Sequence, residues 1–161
     1  MGESPGIFRK RRLTPRQLRA VAEYRMEDSL CLLKSKDPAR ANGAMYMAGF
    51  VIECLLKALL LERHSNLQAG VDPAKLSKSD AEVYRLLYGH ELDEMLNFLP
   101  EVEAKLRGLE AVEHRPIWHP FQVVCEQWTV YARYSPIRAK RADAEWFVDA
   151  VKEVTQWLKE L

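Results

Sequence analysis

A chain of 161 residues has room for one domain with a substantial core. Its composition, 48% hydrophobic and 29% charged, is ordinary for a globular protein, and a net charge of +1 excludes a globally basic nucleic-acid binder while leaving room for a local basic patch. The three cysteines, Cys31, Cys54 and Cys125, sit in apolar helical patterns without a CxxC pair. Together with the absence of an apolar stretch after the first basic residues, this predicts buried, reduced thiols and a cytoplasmic location.

An arm over residues 1–13, carrying the run Arg9, Lys10, Arg11, Arg12, precedes one domain over 14–161. Thr14, Pro15 and Gln17 read as a capping box with proline at the first helical position, so a first helix is expected over about 15–35. Asp37-Pro38 repeats that start for a second helix over about 38–64, whose opening is rich in small residues (Gly43, Ala44, Ala48, Gly49). Residues 65–79 read as loop. Asp80 is expected to begin a short helix to about Tyr88, ended by Gly89, with His90 capping the next apolar segment. Pro100 restarts a helix to about Arg107, residues 108–118 read as irregular, and Pro120 opens a helix to about Arg133 that Ser135-Pro136 stops. A last helix spans about 141–160, with Ala144, Phe147, Val148, Val151, Val154, Trp157 and Leu158 on its inner face. No segment alternates with a period of two. The fold class is therefore all-α, an up-and-down bundle of four to five long helices.

Residues 44–61, AMYMAGFVIECLLKALLL, carry the strongest signal. The stretch is apolar all round except for Glu53 and Lys57, four residues apart. Ten apolar side chains at about −0.3 to −0.6 kcal/mol each roughly offset two central charges at about +2.5 to +3.5 each, so membrane insertion gains nothing. The expected place is the centre of a bundle, with Glu53 and Lys57 paired as a structural polar pair that fixes helix register.

The tracts Gly49-Phe50-Val51-Ile52-Glu53-Cys54-Leu55-Leu56-Lys57-Ala58-Leu59, Gly89-His90-Glu91-Leu92 and Ala132-Arg133-Tyr134-Ser135-Pro136, followed by a terminal helix ending in Trp157-Leu158, resemble the HEPN family of helical-bundle proteins over about 15–160. The resemblance implies the same bundle and a homodimer. It also implies a role in a prokaryotic toxin–antitoxin or nucleotidyltransferase-associated system, with a nucleotidyltransferase protein, RNA or a nucleotide as partner. Nuclease members carry Arg-x(4–6)-His and pool two such motifs in a dimer. Arg85 and His90 match that length, giving a metal-independent ribonuclease as the alternative function. Leu86 stands where those members have a polar residue, and five residues of unbroken helix would turn the two side chains some 140° apart. The expected function is therefore a catalytically silent or weakly catalytic binding subunit.

Trp128, Tyr131, Arg133 and Tyr134 cluster near one helix end and form the candidate ligand-binding group, either stacking on a base or closing the edge of the core. His114, His119 and Cys125 match no familiar metal-ligand spacing, so neither a metal nor a cofactor is expected. His64 is expected to be solvated.

Overall fold

In the computed structural model, which describes residues 13–35, 37–67, 71–110 and 118–161, the first helix begins where Thr14 can cap it. The Thr14 hydroxyl accepts from the Gln17 amide at 3.2 Å, and the Gln17 side chain accepts from the Thr14 amide at 2.9 Å. This helix, α1, covers Pro15–Lys34. Asp37 caps a single 3₁₀ turn, Pro38–Arg40, which feeds directly into α2, Ala41–Arg63. The shorter helices are α3 (Lys78–Leu86), α4 (Leu92–Leu96), α5 (Pro100–Glu110) and α6 (Trp118–Gln127), and the long α7 (Arg141–Lys159) closes the chain. No strand occurs among the described residues.

The all-α class holds, and the helix lengths differ from the expected four or five long helices. Among the described residues three helices are long and four are short, with 5 to 11 residues described in each. Ser77, not Asp80, caps α3, because its hydroxyl accepts from the Asp80 amide at 3.1 Å and starts the helix earlier. The helix expected to run to Arg133 ends at Gln127, and a separate 3₁₀ turn covers Val130–Tyr134. The basic run Arg9–Arg12 and the expected irregular stretch beyond Glu110 lie outside the described residues.

α2 is the axis. α1, α7, α4 and the 130–134 turn pack around it. Ala44, Ala48, Val51, Ile52, Leu55, Leu56, Ala58 and Leu60 are essentially inaccessible, so the helix is buried on every face, as its composition demands. By length and composition α2 could cross a membrane, yet 72% of its most apolar window is buried inside the fold. The small residues at its start allow close approach. Ser29 on α1 donates to the Ala44 carbonyl at 2.8 Å, and a Cβ on Gly43 would stand 3.3 Å from Leu32 Cδ1. The stripe therefore serves packing inside the chain. α7 buries the expected face, with Trp157 half-buried and edge-on to Phe121 at 5.5 Å. Of the thiols, Cys54 and Cys125 are buried and Cys31 is exposed, which corrects the expectation of three buried ones: Cys31 falls on the outer side of α1.

Candidate functional site

Among the described residues, two neighbourhoods gather the candidate side chains. The first lies on α2. Glu53 and Lys57, one helical turn apart, face the turn that follows α3. Lys57 Nζ donates to Glu53 Oε1 at 2.6 Å and to the Gly89 carbonyl at 2.7 Å. His90 Nδ1 lies 2.9 Å from Glu53 Oε2. Both carboxylate oxygens are thus bonded, which is the condition for a charge with a side chain only 5% exposed. The expected Glu53–Lys57 pair exists, and it is one half of a larger node that the sequence did not disclose.

The break that brings His90 here has a local cause. α3 ends at Leu86, and the amides of Tyr88 and Gly89 fold back onto the Arg85 and Leu86 carbonyls in a turn. Glu91 then reaches back, its Oε2 accepting from the His90 amide at 2.9 Å. That bond, with a second from its own amide, holds the Glu91 carboxyl below the usual carboxylate range. A Cβ on Gly89 would collide with the same carboxylate oxygen, so the glycine leaves the space that the Glu91 side chain occupies in closing the turn. His90 is therefore no helix cap. Glu91 occupies the cap position of α4 without a side-chain cap bond, and the His90 ring turns to Glu53.

Arg85 goes elsewhere. Its guanidinium lies 2.6 Å from Glu94 Oε2 on α4, and that bond raises its already high pKa. Arg85 and His90, the spaced pair, are thus held by two different carboxylates. Buried against the node, the Cys54 thiol is pushed up from 9.0 to about 11, first by desolvation and then by the Glu53 charge. Beside the node, α1, α2, α3 and the residues that follow α3 line a half-open pocket of about 490 Å³ with mostly apolar walls, in which Arg25, Glu53 and Lys57 are the charged members.

The second neighbourhood runs from Trp128 to Arg141. Trp128 is buried, and its indole lies on the bare backbone of Gly49, where a Cβ would stand 1.9 Å from Nε1. Its ring stacks near Tyr46 at 6.1 Å and meets Phe50 edge-on at 5.2 Å, and Phe50 in turn meets His90 at 6.1 Å. Trp128 therefore joins the core. Tyr131 and Tyr134 stand out in solvent, 75% and 71% exposed, with the Arg133 guanidinium 4.8 Å from the Tyr134 ring centre. Of the four expected ligand-binding residues, the structure brings three together at the surface and sets the fourth beneath them.

Asn42, absent from any sequence motif, organises this second region. Its amide donates to the Ile137 carbonyl and accepts from the Ala139 amide, both at 2.7 Å, across 95 or more positions of chain. His64 is not solvated as expected: it is half-buried, with Nδ1 3.6 Å from Asp80. His114 lies outside the described residues, and among the described residues no cluster of three or more His, Cys, Asp or Glu side chains could hold a metal. Compared with protein families, with curated proteins and with solved structures, the chain finds no match.

Proposed function

We propose that the chain is a catalytically silent, HEPN-type binding subunit of a cytoplasmic prokaryotic system of the toxin–antitoxin or nucleotidyltransferase-associated kind. It pairs as a homodimer and binds RNA, a nucleotide or a partner protein. One observation carries the reading: Arg85 is held by Glu94 and His90 by Glu53, so the two groups that a ribonuclease would aim at one phosphate are tied to separate anchors. Incubation of the purified chain with structured and single-stranded RNA, with and without a chelator, tests it. No cleavage is expected, and cleavage lost on both Arg85→Ala and His90→Ala with the fold intact would overturn it.

One feature favours the alternative, a metal-independent ribonuclease. A buried carboxylate orients Nδ1 of His90 while its side chain stays 40% exposed, the arrangement by which a general acid–base histidine is held. Such an enzyme would need Arg85 from the same chain or its dimer partner to leave Glu94.

A further inference from the structure

Residues 129–141, TVYARYSPIRAKR, carry four cations and no carboxylate, in a chain whose net charge is only +1. They form a strap across the outside of α2. Its first part is the 3₁₀ turn Val130–Tyr134, in which residues three apart project from the same face, separated by about 6 Å along the axis. Tyr131 and Tyr134 are such a pair, and both rings stand mostly in water. Ile137 is exposed as well, 74%. Three large exposed side chains with apolar faces within seven residues form a patch of the kind that marks an interaction surface.

The strap is not a loose loop. Asn42 grips Ile137 and Ala139 by both backbone partners, and the Ser135 hydroxyl accepts from the Ile137 amide at 3.2 Å. Between the strap and α2 runs a groove of about 480 Å³, lined among others by Tyr46, Tyr131, Ile137 and Phe147. Arg141 is committed to Glu145 at 2.7 Å and Arg133 to the Tyr134 ring, while Arg138 stands exposed on the fixed stretch and Lys140 follows at its end.

We propose that this strap is a binding site for single-stranded nucleic acid, with Tyr131 and Tyr134 taking bases on their ring faces and Arg138 and Lys140 meeting the phosphates. Aromatic faces interleaved with cations match an alternation of bases and phosphates, and stacking on tyrosine is indifferent to base identity. A second copy of the chain fits worse, because a two-fold contact through the strap would set its cations against their own copies. The proposal deepens the binding-subunit reading and rests on it for the ligand class.

The experiment is fluorescence anisotropy on the full chain with labelled oligo(U) and oligo(dT) of about twelve nucleotides, a length within known single-strand site sizes, and with an RNA duplex of equal length. Both single strands should bind better than the duplex; a preference for oligo(U) identifies RNA, a preference for oligo(dT) identifies DNA, and either supports the site. Tyr131→Ala and Tyr134→Ala should each weaken binding about five- to 150-fold. Arg138→Ala combined with Lys140→Ala should lower the slope of log affinity against log salt by about 1.4. All four side chains are exposed, and circular dichroism checks that the variants fold. Failure of the single strands to bind, equal or better binding of the duplex, or tyrosine variants that bind as wild type would each overturn the proposal. So would tyrosine variants that turn a dimer into a monomer at unchanged nucleic-acid affinity, which would make the strap a protein interface. Cleavage of the bound oligo(U) would overturn the silent-subunit reading and leave the strap standing, whereas loss of binding alone removes only the strap.

Discussion

The Glu53–Lys57–His90 node and the 129–141 strap both gather charged and aromatic groups beside α2, and they are held in opposite ways. In the node the charges are out of water, and each is closed by a bond: Lys57 by Glu53 and Gly89, Glu53 by Lys57 and His90. In the strap the side chains face water and the backbone is what is held, through Asn42. The Glu53 and Lys57 side chains are nearly buried, so removing one of them leaves the other charge with little solvent to turn to. Exposure leaves the strap's side chains almost neutral for stability and open to a ligand. Substitutions should therefore separate the two regions by what they damage.

The largest effect is expected at the node. Glu53→Ala leaves Lys57 buried without its counter-charge and should cost about 3–5 kcal/mol in denaturant unfolding. A loss below about 1 kcal/mol would place Glu53 among surface pairs, for which such values are usual, and dissolve the contrast. Leu56→Ala, fully buried on the same helix, should cost about 2–5 kcal/mol and calibrates the apolar part of α2. Gly49→Ala should cost about 1–3 kcal/mol, since its methyl group takes space held by the Trp128 indole. At the strap, Asn42→Ala removes two bonds at about 0.5–1.5 kcal/mol each. It should also loosen residues 137–139 to amide exchange while α7 stays protected, and if those amides exchange as before, the clamp is not what orders the strap.

A further effect is set by pH. The Cys54 thiol is raised in the fold from 9.0 to about 11. Its contribution is therefore fully present below pH 9 and is lost as pH rises through 11, because the unfolded chain releases the proton first. The stability of the wild type relative to Cys54→Ala should fall over that window, and an unchanged difference would refute the burial of the thiol beside Glu53. In the folded protein a thiol reagent at pH 8 should modify Cys31 and spare Cys54 and Cys125.

Much of this was legible in the residue order. The Thr14 box, the Asp37-Pro38 start, the inner face of α7 and the burial of α2 follow from local chemistry and periodicity, and each lies within about a turn of where the pattern puts it. The Glu53–Lys57 pair was equally legible, because residues four apart on a helix must meet. Elements that local signals do not bound came out differently. Asp80 reads as the start of a helix, but Ser77 caps it and the helix begins at Lys78. The stretch from Pro120 to about Arg133 reads as one helix, yet α6 covers Trp118–Gln127, Trp128 lies over Gly49, and a separate 3₁₀ turn follows.

By itself, then, the sequence determined the helical class, the central position of α2 and the one ion pair within it, since all three depend on residues within a few positions of one another. Tertiary structure alone decided the partners of those groups. His90 meets Glu53 across 37 residues and Asn42 meets the strap across 95 or more, and no periodicity encodes a contact between segments whose relative placement depends on the packing of the whole core.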